Sequence, residues 1–241
     1  MRLKVLALAV AAAAITAPTA LAAGVSNGDF ATGDLTGWTT FTTANGALGT
    51  GLPAVTPFDT TGAGASNAAE FNVGQAVFAG TTDQQGGGIY QSVTTGAGVF
   101  TIAADTAAVN RNALSSNGSC GLFELLLDGS VVASHDYGAC GPSATVRFTL
   151  TATGLALTSG PHEVRVRITR PFVTFAGGPG SAGSPLEYVD NVTLTPVALS
   201  PTRPSTKDQC MKSGWQSFGV FKNQGDCVSF VATGGKNQPA G

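Results

Sequence analysis

Apolar and polar residues alternate at every second position through two stretches of the chain. Val146, Phe148 and Leu150 interleave with Arg147, Thr149 and Thr151; Val164, Val166 and Ile168 interleave with Arg165, Arg167 and Thr169. A period of two predicts strands with one buried and one solvated face. Trp38 to Thr43 (WTTFTT) has a similar half-buried pattern, and Ala68 to Val73, Gly88 to Val93 and Gly98 to Val109 read as further strands. Leu122 to Leu127 and Ser130 to Ser134 flank Asp128-Gly129, a dipeptide that tolerates positive φ and so predicts a hairpin. Gly24 to Phe30 reads as a brief strand. Gly46 to Gly64 reads as loop, because Pro53 and Pro57 exclude a central strand. No comparable window before residue 200 repeats every 3.6 residues, so the body is expected to be an all-β sandwich.

The segments Asn27 to Trp38 (NGDFATGDLTGW) and Glu187 to Leu194 (EYVDNVTL) are expected to be its first and last strands. Strict alternation through Val189 would aim Asn191 at the core. A one-residue bulge at Asp190-Asn191 restores Val192 and Leu194 to that side, and bulges often re-aim a polar side chain. Asp190 is therefore a ligand candidate.

After Leu199 to Pro204, a proline-bearing linker, the pattern changes. Ser205 with Asp208 suggests a helix start running to Met211, and Gln224 to Val231 would place Cys227, Phe230 and Val231 on one side of a helix. Trp215, Phe218 and Phe221 offer a small core. Residues 205–241 are thus read as a small, disulfide-stapled, helical appendage to a sandwich spanning 24–198.

Composition narrows the setting. The chain opens with Arg2 and Lys4, an apolar run from Val5 to Ile15, and small residues around Ala22, which predicts a secretory signal peptide over residues 1–23. That run is too short to span a bilayer comfortably, and nothing later is apolar enough to enter a membrane, so no membrane insertion is expected after cleavage. Without Arg2 and Lys4 the chain has 10 Lys+Arg against 14 Asp+Glu, a mildly acidic balance that argues against a nucleic-acid partner. In an exported chain Cys120, Cys140, Cys210 and Cys227 read as two disulfides. Three pairings are possible, and sequence neighbourhood favours Cys120–Cys140 and Cys210–Cys227, each worth roughly 3 kcal/mol in the chain-entropy model. Neither pair has the tight spacing of a four-cysteine zinc site.

The opening NGDF–x–TGDLTGW, the middle GIYQSV and the closing EYVDNVTL resemble the galactose-binding-like jelly-roll family, and within it the carbohydrate-binding modules appended to cellulases and xylanases. The resemblance covers about residues 24–198 and implies a jelly-roll sandwich that binds polysaccharide or glycoconjugate. It also implies a structural calcium ion held beside the Asp of the DN pair, which would use Asp29 and Asp190. Where the family usually carries Glu after NGxF, this chain has Ala31, so the calcium loses one carboxylate. Trp38 occupies the family's structural GW position. The segment CxxxGW…FGxFKNQGDCVSF is similar to a short C-terminal piece found on assorted secreted bacterial proteins.

Sugars stack on exposed aromatics while polar groups fix their orientation. Tyr90, Tyr137, Phe172 and Phe175 are the candidate platforms. Arg147, Arg165 and Arg167, with Glu124 opposite, would line one sheet face if their strands are neighbours, and guanidinium groups suit an acidic polysaccharide. Catalytic signals are sparse: His135 and His162 complete no triad, and His162 reads as a surface residue. Glu124, Glu163 and Glu187 are the carboxylates a glycosidase would need to bring together. The reading is a secreted, non-enzymatic carbohydrate-binding module, extracellular or at the cell surface. An adhesive protein that binds a surface protein is the alternative, and a glycoside hydrolase stands third.

Overall fold

A computed structural model describes residues 24–78, 80, 82–174, 183–197 and 203–240. The expected signal peptide, Phe175 and most of the linker lie outside the described residues. Twelve strands follow in chain order: β1 (Thr39–Thr42), β2 (Gly46–Ala47), β3 (Ala54–Phe58), β4 (Ser66–Phe71), β5 (Gly74–Gln75), β6 (Gln85–Thr95), β7 (Gly98–Val109), β8 (Leu122–Leu127), β9 (Ser130–Asp136), β10 (Thr145–Leu157), β11 (Gly160–Arg170) and β12 (Leu186–Pro196). They form two five-stranded sheets, β1-β6-β11-β8-β9 and β10-β7-β12-β4-β3, plus a small β2-β5 ladder. The sheets pack as a jelly-roll β-sandwich. Its core joins Ile89, Phe123, Leu125, Val164, Val166 and Ile168 of the first sheet to Phe71, Phe100, Ile102, Leu150, Val189 and Leu194 of the second.

The period-2 pattern is realised in β11, where Val164, Val166 and Ile168 are fully buried while Arg165 and Arg167 stay partly exposed. The Asp128-Gly129 hairpin joins β8 to β9, with both residues at positive φ (51° and 77°). In β12 the register against β7 shifts between Asp190 and Thr193, and Asn191 adopts φ 51°. The shift leaves Asn191 exposed and buries Val192 and Leu194.

Three expectations need correction. Gly24 to Trp38 is not a strand but a series of turns, with Asn27 and Phe30 at positive φ. The Asn27 amide explains this: it donates to the Asp34 and Thr36 carbonyls and accepts from the Thr32 N–H. Such side-chain bonds give the backbone an alternative to a ladder. The segment still meets the last strand, because the Val192 N–H donates to the Gly28 carbonyl at 2.9 Å. Second, Gly46–Gly64 is not all loop, since β3 lies there with Pro57 inside it. Proline is tolerated because β3 is an edge strand. Third, β10 lies in the opposite sheet from β11, with the consequence for Arg147 described below.

Residues 197–241 form a separate compact unit. Two 3-10 turns, Lys207–Cys210 and Gly214–Phe218, precede helix α1, Gln224–Ala232. The Asn223 side chain caps α1 by accepting from the Asp226 N–H at 2.9 Å. Cys210, Phe221, Cys227 and Phe230 form its core, with Trp215 and Phe218 packed against them. The cysteines pair as Cys120–Cys140 and Cys210–Cys227. Among the described residues no helix is long and apolar enough to cross a membrane.

Candidate functional site

Alternation along β11 sends Glu163, Arg165, Arg167 and Thr169 to the outer face of the first sheet. The register sets Tyr90 of β6 beside Arg165, and Glu124 of β8 beside Arg167. On β1, Phe41 pairs with Gly88 and so joins Tyr90 on this face. Phe41 lies three residues beyond the buried Trp38, an odd spacing that puts the two rings on opposite sides. That spacing was the available sequence signal for Phe41, which the sequence analysis did not single out.

Two features result. The Arg165 guanidinium sits 4.3 Å from the Phe41 ring centre and 5.1 Å from that of Tyr90, forming a ledge of cation–π contacts. Its Nε donates to Glu163 Oε1 at 2.9 Å. Farther along β11, a pocket of about 230 Å³ is lined by Thr43, Gln84, Leu122, Glu124, Arg167 and Thr169. Arg167 Nε donates to Glu124 Oε2 at 2.6 Å, and this carboxylate holds the guanidinium more firmly charged than usual. The Thr169 hydroxyl is buried, shut off from solvent and without a hydrogen-bond partner among the described residues, so the charged wall that the pocket presents is the Glu124–Arg167 pair.

Arg147 does not belong to this face. It projects from β10 in the other sheet, where Nε donates to the Asp59 carbonyl at 2.7 Å. The period-2 pattern gives the side of a strand but not the sheet it joins, so the three arginines cannot line one surface. Tyr137 is no open platform either. Its ring packs edge-on against Phe123 and its hydroxyl donates to the Thr106 carbonyl at 2.9 Å. Burial pushes its pKa up to about 12. Phe172 is exposed and stands with Val77 and Phe78 around an apolar cavity of about 560 Å³ that shares no lining residue with the Arg167 pocket.

His162, expected at the surface, is buried. Its Nδ1 meets Asp128 Oδ2 at 2.7 Å and its Nε2 meets the Thr158 carbonyl at 3.0 Å. Its place on β11 has the same parity as Val164, which points it inward. The three glutamates do not converge. Glu187 lies on β12 in the second sheet, fully buried, and burial pushes its pKa up to about 8 despite Arg170 at 3.9 Å. Glu163 stands four residues along β11 from Arg167, the partner of Glu124, or about 13 Å of strand. Glycosidase carboxylates stand roughly 5–10 Å apart.

The residues at the expected calcium position do not fit the ion. Asp190 Oδ2 accepts from the Ser66 hydroxyl at 2.5 Å and Oδ1 accepts from the Asn191 N–H at 2.7 Å. The Asn67 amide donates to the Phe30 carbonyl at 3.0 Å. Asp29 is exposed and accepts from the Ala31 N–H. Hydroxyl and amide donors thus stand where a hard cation would need bare oxygens. Among the described residues no group of three His, Cys, Asp or Glu could hold a metal. Burial raises the pKa of Asp190, with Asp105 and Asp29 adding to it.

No protein-family model matches the chain, and no curated protein matches it. Solved structures do resemble part of it. A carbohydrate-binding module, TmCBM61, in complex with β-1,4-galactotriose is 13% identical, with 71% of this chain and 97% of that chain covered and a TM-score of 0.43. The CBM22-2 xylan-binding domain of Paenibacillus barcinonensis Xyn10C is 14% identical over 70% of this chain and 98% of that one, with a TM-score of 0.36. A CBM36 module in complex with calcium and xylotriose is 14% identical over 65% and 99%, with a TM-score of 0.30. No residue role is carried over from them.

Proposed function

We propose that the chain is a secreted, non-catalytic module that binds carbohydrate on the outer face of its first sheet. One observation carries the reading: a pocket walled by the Glu124–Arg167 pair opens beside the Phe41–Tyr90–Arg165 ledge. A sugar presents hydroxyls on its rim and an apolar face, and this surface offers a match for each. The non-catalytic part rests on the carboxylates. Glu124 and Glu163 are each tied to a different arginine, and Glu187 is buried away from this face. Secretion rests on the basic-then-apolar start of the sequence.

Depletion by insoluble polysaccharides tests the proposal. The full chain is expected to leave solution with at least one of a panel of galactan, xylan and cellulose preparations. No depletion by any glycan would refute it. A second reading, an adhesive protein that docks another protein, is favoured by the exposed Val77 (69%), Phe78 (70%) and Phe172 (44%). Retention on cells that persists after glycan competition and is lost on Phe78→Ser would support it.

A further inference from the structure

Resting on the carbohydrate reading, we infer that this face selects a neutral oligosaccharide. The Glu124–Arg167 pair reads adjacent hydroxyls of one sugar, while polyuronates are excluded. Both arginines on the face are already matched, Arg165 by Glu163 at 2.9 Å and Arg167 by Glu124 at 2.6 Å. Asp136 of β9, opposite Leu122, adds a further carboxylate. A uronate arriving at Arg167 would meet Glu124 first, and like charges brought together disfavour a partner strongly.

Among the described residues Arg167 engages Glu124 through Nε alone, which leaves its terminal NH2 groups to donate, and Glu124 Oε1 takes no hydrogen bond. Donor and acceptor therefore stand side by side at the pocket. Two neighbouring sugar hydroxyls can use them together, one donating to Glu124 Oε1 and the other accepting from Arg167. A lone carboxylate ligand could satisfy Arg167 but would leave Glu124 Oε1 facing another acceptor.

Arg165 of the ledge and Thr169 at the far side of the pocket are four residues apart on one strand, about 13 Å. A single sugar ring does not reach from one to the other, so the ligand is a chain lying along β11.

Calorimetric titration of the full chain with soluble galactan, arabinoxylan and polygalacturonate tests this. The account expects binding to at least one neutral polymer and none to polygalacturonate at moderate salt. Glu124→Gln should weaken neutral binding roughly three- to tenfold, the worth of one hydrogen bond, and allow polygalacturonate to bind. Preference for polygalacturonate by the unaltered protein would overturn this inference and leave carbohydrate binding standing. Unchanged neutral affinity in Glu124→Gln would overturn the pocket's role. Binding to none of the three, alongside depletion by an insoluble glycan, would overturn the inference alone, and absence of both would remove the functional proposal as well.

Discussion

Gly28→Ala should destabilise the sandwich by about 2–4 kcal/mol. A methyl built at Gly28 would lie 2.0 Å from the Val192 carbonyl oxygen, 3.1 Å from its carbon and 3.3 Å from Val25 Cγ1. Ordinary contact needs well over an ångström more, so one segment must retreat. Val192 cannot easily be the one. It is buried, and the bulge before it is pinned by the Asp190 carboxylate, which accepts from Ser66 and from the Asn191 amide. The opening segment would move instead, and the Val192 N–H to Gly28 bond would break. Overpacking costs roughly 1–3 kcal/mol and the lost hydrogen bond about 1. A domain of this size loses about 2–4 °C of melting temperature per kcal/mol, so a fall of roughly 5–15 °C is expected. Near-ultraviolet circular dichroism of the oxidised full chain gives the readout. Gly141→Ala, where a methyl meets nothing within 4 Å, serves as the control and should melt as the unaltered protein does. Equal melting of Gly28→Ala and the unaltered protein would refute the fastening of head to tail described above.

Three further outcomes are expected. His162 faces an acceptor on each ring nitrogen, so only the imidazolium donates to both, and the hydrogen bond to Asp128 chiefly raises its pKa above the usual 6.5. Its contribution should be fully present below pH 6.5 and lost as pH rises through the raised folded value, whereas His162→Gln should flatten this slope in urea titrations across neutral pH. Chelator should leave melting temperature and glycan binding unchanged, because Ser66 and Asn67 supply the donors that an ion would otherwise replace; a drop of several degrees with EDTA, reversed by calcium, would contradict this. Replacing Cys210 and Cys227 by serine should cost the C-terminal unit roughly 3 kcal/mol and expose α1 to limited proteolysis while the sandwich keeps its melting transition.

Local chemistry was the legible part of this fold. Strand β11, the Asp128-Gly129 hairpin and the bulge before Val192 all follow from alternation and turn residues within a few positions of one another. What the pattern could not convey was partnership over distance. β10 and β11 are consecutive and equally well patterned, yet the Leu157-to-Gly160 connection carries the chain from one sheet to the other. Arg147 and Arg165 look equivalent in the sequence for that reason and stand on opposite layers in the structure. Asn27 misled in the other direction, since its side-chain bonds to Asp34 and Thr36 turn a strand-like text into a loop. Thr169 was visible only as one more polar position in an alternating run. The pocket it lines is completed by Glu124, Leu122, Gln84 and Thr43, which arrive from three other parts of the chain.

Amide and side-chain chemical shifts, followed as a soluble neutral polysaccharide binds the isotopically labelled full chain, test the proposed face directly. The expected shifts cluster on Phe41, Tyr90, Glu124, Arg165, Arg167 and Thr169. Shifts confined to Phe78 and Phe172, or to the second sheet around Arg147, would contradict it.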